Sequence, residues 1–351
     1  MPDSQPGRRA LPAVTCDRGA PRHLGDHRGM FFSRLHRALA GRLPRWLAAL
    51  AAAMLTLAGP AALAAQHALL IGVDRVAALP QRLWLQGTAN DVTAMRQALL
   101  ARGVAPAHIT VLADHAPAAS GRATRAAVDA ALTALLARVR PGDGVWLHFA
   151  GHGVQVPQAP GAARAEPDGL DEVFLTVDAQ PWDAASARLP RALYDDEIDR
   201  WIDALVDRGA TVSAVFDTCH AAGLSRSAAP VLHPRRVAAD ELGVPQALAA
   251  RPAVVSASAS ASSSTTPRSD GRVLMFAARA HELTGEQRLP WAGGGGTARV
   301  QGIFTHAVSQ ALAAGARDAA AMRSALRLQY QRAGRQSPVP QVLGADTEAL
   351  P

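Results

Sequence analysis

Val145–Ala150 (VWLHFA), running straight into Gly151-His152-Gly153, decides the fold. The run is apolar except for one imidazole. The turn Pro141-Gly142-Asp143-Gly144 opens it, so it reads as a short strand covered on both faces. Outward from it, His67–Val73 (HALLIGV), His108–Leu112 and Ala210–Phe216 (ATVSAVF) have the same character. Amphipathic stripes separate these runs. Asn90–Arg102 carries Val92, Met95, Leu99 and Leu100 and closes on Gly103; Ala123–Val139 carries Val128, Leu132, Leu135 and Leu136; Asp195–Arg208 carries Ile198, Trp201, Ile202 and Leu205. A further strand is predicted over Val273–Ala278, with helices over Phe304–Ala313 and Ala319–Arg332. Strands alternating with helices of this length predict an α/β fold built on a mostly parallel sheet.

Composition narrows the function. The chain has 351 residues, 49% hydrophobic and 19% charged, which excludes wholesale disorder. Its net charge of +7 resembles a nucleic-acid signature until it is located. Residues 1–50 hold nine arginines against three aspartates, and the remainder is close to neutral. With aromatics at 4%, the body offers neither a phosphate track nor a stacking platform, so nucleic acid is not an expected partner.

The basic stretch Arg34–Arg45, the apolar block Trp46–Ala58, the Gly59-Pro60 break and Ala62-Leu63-Ala64 follow the order of a secretory signal peptide cut near Ala64 or Ala65. The expected layout is an N-terminal extension and signal peptide over 1–65 (apolar region about 46–65) and one catalytic domain over 66–351. That domain carries a low-complexity loop about 225–271, containing Ser256–Thr266. The mature chain is then periplasmic or secreted, with no stable membrane span; an uncleaved anchor is the alternative, and Met30 is an alternative start. Cys16 leaves with the leader, so Cys219 is the single thiol of the mature chain and no internal disulfide forms.

Ligands and catalytic groups of open α/β sheets gather beyond the carboxyl ends of strands. Two ends here carry nucleophile chemistry: Ala150-Gly151-His152-Gly153 and Asp217-Thr218-Cys219-His220. If their strands are neighbours, His152 and Cys219 meet, and an imidazole that takes the thiol proton makes a strong nucleophile. His220 is a rival base, though it leaves the strand on the opposite side from Cys219. His148 reads as a strand side chain satisfied by a neighbour.

The segments HFAGHG and FDTCHAAG resemble the catalytic motifs of metacaspases, the caspase-related cysteine peptidases. LLIGVDR, LQGTANDV, EPDGLDEVFLTVD, YDDEIDRWI and GIFTHAVSQAL add to the likeness, which extends over essentially the mature chain. The resemblance implies a caspase-like three-layer α-β-α sandwich with a mostly parallel central sheet. It also implies an endopeptidase that cleaves protein or peptide substrates after Arg or Lys through a thioester acyl-enzyme. In that reading Cys219 attacks, His152 moves the proton, and the N–H groups of Gly153 and Cys219 stabilise the oxyanion. Asp217 and Asp91 would then bind the substrate cation; for Asp91 a helix N-terminal charge is the alternative. No residue is assigned to orient the imidazole.

Ala150 departs from the serine common in relatives. The resemblance further implies possible calcium ligands at Asp168, Asp171, Glu172, Asp195 and Asp196, with no cofactor required; a solvated acidic loop is the alternative. An exposed loop bearing Arg226, Arg235, Arg236, Arg251 and Arg268 is expected to invite self-cleavage. An inactive caspase-like scaffold that binds a partner, and a metal site on Cys219, His220 and His152, are the competing readings.

Overall fold

The computed structural model describes residues 64–159, 166, 169–219, 233–246, 270–279, 282–291 and 296–351. The predicted leader up to residue 63, Asp168, His220 and most of the low-complexity loop, including Arg226, Arg251 and Arg268, lie outside the described residues.

Six strands form the main sheet: β1 (Gln66–Gly72), β2 (Ile109–Ala113), β3 (Gly144–Ala150), β7 (Thr211–Asp217), β9 (Arg272–Phe276) and β12 (Gln341–Leu343). Their spatial order is β12-β9-β7-β3-β1-β2, parallel throughout except for the antiparallel edge strand β12. This is the expected three-layer α/β sandwich. Every residue of β3 is buried, because neighbours flank it and helices cover both its faces.

Alternation along each strand divides the core in two. Leu69, Ile71, Leu147, Phe149 and Ala214 pack under α2 (Arg125–Arg138) and α3 (Asp195–Asp207). Ala68, Leu70, Trp146, Val215 and Met275 pack under α1 (Thr88–Ala101), α4 (Ile303–Ala313) and α5 (Ala319–Arg332). Phe149, Phe216 and Phe276 occupy one register line across β3, β7 and β9, with stacked ring centroids 5.2 and 5.1 Å apart. That aromatic file pins the register just below the strand ends that carry the motifs.

Two small antiparallel sheets stand beside the main one: β4 (Gly153–Pro157), β5 (Leu170–Phe174) and β6 (Leu193–Tyr194); and β8 (His233–Pro234), β10 (Gly285–Leu289) and β11 (Arg299–Gly302). These strands, two to five residues long, escape a periodicity reading. β8 belongs to the segment expected to be a solvated loop. It is ordered because it pairs with β10.

Candidate active site

β3 and β7 are in register, with Ala150 opposite Asp217. His152 and Cys219 each lie two residues beyond that pair, so adjacent strands deliver them to one rim. Both are buried, each 1% exposed. Cys219 Sγ donates to the Thr284 carbonyl at 3.1 Å and accepts the Thr284 N–H at 3.0 Å. His152 Nε2 lies 2.5 Å from the Leu83 carbonyl. A carbonyl only accepts, so Nε2 is assigned the proton and Nδ1 is the bare nitrogen. Leu83 thus orients the imidazole, a backbone role that no side-chain motif could signal.

Gly153 has a steric reason to be glycine. A Cβ there would collide with the Cys219 carbonyl and stand 2.6 Å from Thr218 Oγ1. Close approach of two backbones, rather than freedom around the imidazole, explains it.

The segment that begins at His233 runs through this cleft. His233 and Pro234 pair antiparallel with Glu286 and Gly285. The Arg235 N–H continues the pairing by donating to the Thr284 carbonyl at 3.0 Å. The Arg235 carbonyl accepts from both Gly153 N–H, at 3.0 Å, and Cys219 N–H, at 3.3 Å. Beyond it, Val237 N–H donates to the Gly153 carbonyl at 3.0 Å. The expectation that Arg235 lies on an exposed loop is overturned: its side chain is 0% exposed.

Three carboxylates surround the Arg235 guanidinium. Nη2 donates to Asp91 Oδ2 and, at 3.4 Å, to Glu286 Oε1; Nη1 lies 3.0 Å from both Asp217 Oδ2 and the Asp217 carbonyl. Each carboxylate is fixed by other donors. Asp91 Oδ1 accepts Gly302 N–H at 2.8 Å, and Glu286 accepts Gln86 and Gly87 N–H at 2.9 and 2.7 Å. Asp217 Oδ2 accepts Thr305 N–H at 2.9 Å and Oγ1–H at 2.7 Å. Since the Thr305 hydroxyl has one proton and gives it to Asp217, His148 Nε2–H donates to Thr305 Oγ1, at 3.0 Å. Asp91 stands in the first turn of α1, yet its carboxyl faces the guanidinium rather than solvent.

Burial sets the protonation of the site. It pushes the Cys219 thiol up to about 12 and His152 down to about 4, so the pair rests as neutral thiol and neutral imidazole. Burial also drives Asp91 up to about 7 against the pull of Arg235. It opposes the charge on Arg235 too, but Asp217, Asp91 and Glu286 outweigh it and hold the guanidinium above its ordinary value.

Burial takes His148 down to about 3, with the Arg235 charge adding to it. Below pH 6.5 the unfolded chain takes a proton that folded His148 refuses, so this group destabilises the fold as pH falls. The raised Asp91 acts in the opposite sense, costing stability as pH rises from its unfolded value towards 7. A His148→Gln variant isolates the first slope. From pH 7 to pH 5 its stability relative to the parent is expected to improve by about 2 kcal/mol, at about 1.4 kcal/mol per pH unit below 6.5. Urea unfolding in a Cys219→Ala background measures the difference; a pH-independent difference contradicts a neutral buried His148.

Of the acidic residues considered for calcium, Asp171 and Glu172 lie in β5 and Asp195 and Asp196 open α3. Burial first, then the neighbouring Asp171 and Asp196, raise Asp195 to about 6, although a hydrogen bond with Glu172 pulls the other way. Asp195 Oδ1 is buried without a hydrogen-bond partner. Among the described residues, however, no group of three or more His, Cys, Asp or Glu side chains is placed to hold a metal ion. That includes Cys219 with His152. Also among the described residues, no helix is long and apolar enough to cross a membrane.

Residues 66–226 match the profile of the metacaspase, peptidase C14 domain. Over 156 residues the chain is 32% identical to Metacaspase-1 of Emericella nidulans, covering 44% of this chain and 35% of that protein. Over 161 residues it is 31% identical to Metacaspase-7 of Arabidopsis thaliana, covering 46% and 36%. The matched part thus spans about a third of the length of these relatives. A crystal structure from Geobacter sulfurreducens, 21% identical, covers 81% of this chain and 94% of its own with a TM-score of 0.48, too loose to transfer roles between residues.

Proposed function

We propose that the chain is a cysteine endopeptidase of metacaspase type that cleaves after arginine, with Cys219 as nucleophile and His152 as its base; the match of residues 66–226 to the metacaspase, peptidase C14 domain and the likeness to metacaspases support it. One observation carries the reading: the chain's own Arg235 lies in the cleft in the manner of a substrate. Its backbone extends the β10 pairing, its side chain enters a carboxylate pocket, and its carbonyl oxygen meets the two N–H groups that would bind an oxyanion.

The chemistry follows from those positions. The Cys219 thiol gives its proton to His152 Nδ1 while Leu83 holds Nε2–H. Sγ leaves Thr284 and bonds to the carbonyl carbon, and the electron pair moves onto the oxygen facing Gly153 and Cys219 N–H. Collapse breaks the C–N bond; the amine departs with the proton from His152, leaving a thioester that water hydrolyses with the same base. Asp217 and Asp91 bind the guanidinium by charge-assisted hydrogen bonds. An outside peptide reaches this buried neutral pair only once the Arg235 segment is out of the cleft. Departure or cleavage of the Arg235 segment rehydrates it and lets thiolate and imidazolium form.

The test is hydrolysis of fluorogenic peptides ending in Arg, Lys or Asp, with and without calcium. Cleavage after Arg and none after Asp is expected. A preference for Asp, or silence toward every peptide under both conditions, overturns the proposal. No step depends on calcium; the assays with and without it test the calcium expectation for Asp168, Asp171, Glu172, Asp195 and Asp196. We also propose export by the leader ending near Ala64 or Ala65, which the mass of the mature N-terminus tests.

Self-cleavage is expected at one place, the Arg235–Arg236 bond. Arg235→Ala removes both that cut and the occupant of the pocket. The uncut variant is expected to hydrolyse Arg peptides at an initial rate about tenfold above uncut parent, since the parent's competent fraction is small. Initial-rate assays with terminal sequencing of fragments check this. Equal rates, or a cut elsewhere as the main product, contradict it.

A further inference from the structure

We propose that Glu286 is a specificity-determining residue, and that it makes the pocket select arginine over lysine. The inference rests on the peptidase reading for its substrate, but the geometry behind it concerns the pocket alone. The acceptors lie on two sides of one planar group. Nη1 meets Asp217 through its carboxylate and its carbonyl, whereas Nη2 meets Asp91 and Glu286. A guanidinium presents donors to both sides at once. A lysine side chain ends in a single nitrogen, which satisfies one side and leaves the other facing buried, unanswered negative charge.

Glu286 is the member that makes the second side demanding. Asp91 alone would suffice for one donor, and its other oxygen is taken by Gly302 N–H. Glu286 adds a third carboxylate with 0% exposure, and Gln86 and Gly87 N–H fix both its oxygens. It cannot retreat to solvent, and the pocket stays narrow around it. A Cβ on Gly87 would stand 2.8 Å from Glu286 Oε1. Three buried carboxylates facing one cation therefore reward the side chain that donates to all of them. Glu286 lies in the strand GEQRL, with no motif to mark it, so the sequence reading passed it over.

Two measurements test the proposal. In the first, kcat/KM is determined on matched Arg and Lys peptides for Arg235→Ala, whose pocket holds no tethered arginine, and for the same variant with Glu286→Gln added. The Arg value is expected to fall about 10–100-fold, the worth of one charge-assisted hydrogen bond, and the Lys value by less than about threefold. Equal falls on both peptides, or no fall on Arg, would overturn it.

The second measurement needs no peptidase activity: the alkylation rate of native Cys219 reports how often Arg235 leaves the pocket. Arg235→Lys is expected to accelerate alkylation at least tenfold when Glu286 is present. In Glu286→Asp, which keeps the charge but withdraws the carboxylate by one methylene, the same substitution is expected to add less than about threefold. Circular dichroism confirms that each variant keeps its fold, and equal acceleration in both backgrounds rejects the role of Glu286. If no peptide is cleaved while this coupling is found, the peptidase reading fails and the pocket assignment stands.

Discussion

Cys219→Ala is expected to lower hydrolysis of Arg peptides by about 10⁴–10⁶-fold and to leave the Arg235–Arg236 bond uncut. The magnitude follows from losing covalent catalysis altogether, while the pocket and the two backbone N–H donors remain. Alanine fits the site: Cys219 is buried, and its thiol bonds to the Thr284 carbonyl and N–H. Thr284 N–H loses a sulfur acceptor, a small penalty beside the chemical loss, so the variant is expected to fold with Arg235 still in place. Kinetics on purified protein and intact mass after storage give the two readouts. Retention of more than about 1% of parental activity, or fragmentation at the same bond, excludes Cys219 as the nucleophile.

Gly302→Ala is the second large effect, and it works through space alone. Gly302 has φ −63° and ψ 131°, a conformation alanine adopts freely, so the substitution carries no backbone strain. Its new Cβ, however, would collide with Asp217 Oδ2 and lie 2.6 Å from Arg235 Nη1. Arg235 Nη1 and Asp217 Oδ2 are partners in one ion pair. Excluding the guanidinium forfeits one to two charge-assisted hydrogen bonds of about 1.5–3 kcal/mol each, and kcat/KM on Arg peptides is expected to fall by about 10²–10⁴-fold. Cys219 alkylation is expected to quicken at the same time, because the same methyl expels Arg235. A variant within threefold of the parent in both assays means the guanidinium does not bind where Gly302 leaves room.

How much of this was readable beforehand depends on the range over which each signal acts. The central strands and the five α-helices of the described residues were legible, because two-sided burial and helical stripes write themselves into consecutive residues: VWLHFA and ATVSAVF needed no partner to be recognised. The positions of His152, Cys219 and Asp217 at two adjacent strand ends were legible. The small sheets were not, since β6 and β8 are two residues long and exist only through their pairing partners. Leu83 acts through a carbonyl every residue possesses. Glu286 and Thr305 matter because the fold carries them to Asp217 and Asp91 from far along the chain. Arg235 was misjudged for the same reason: composition around it is that of a solvated loop, and only the three carboxylates waiting in the cleft overrule that composition.

The pairing of His233 and Pro234 with β10 has a kinetic consequence. A ligand tied to its own receptor is present at an effective concentration on the order of millimolar for a short flexible connection. On the proposed reading, any outside peptide would have to displace that tethered competitor, so a Michaelis constant measured on uncut protein would report the release of the tether more than the affinity of the pocket. Severing the Arg235–Arg236 bond would free one flank of this rival and leave it tied through the other to Cys219, a looser competitor that still shares the chain of its receptor.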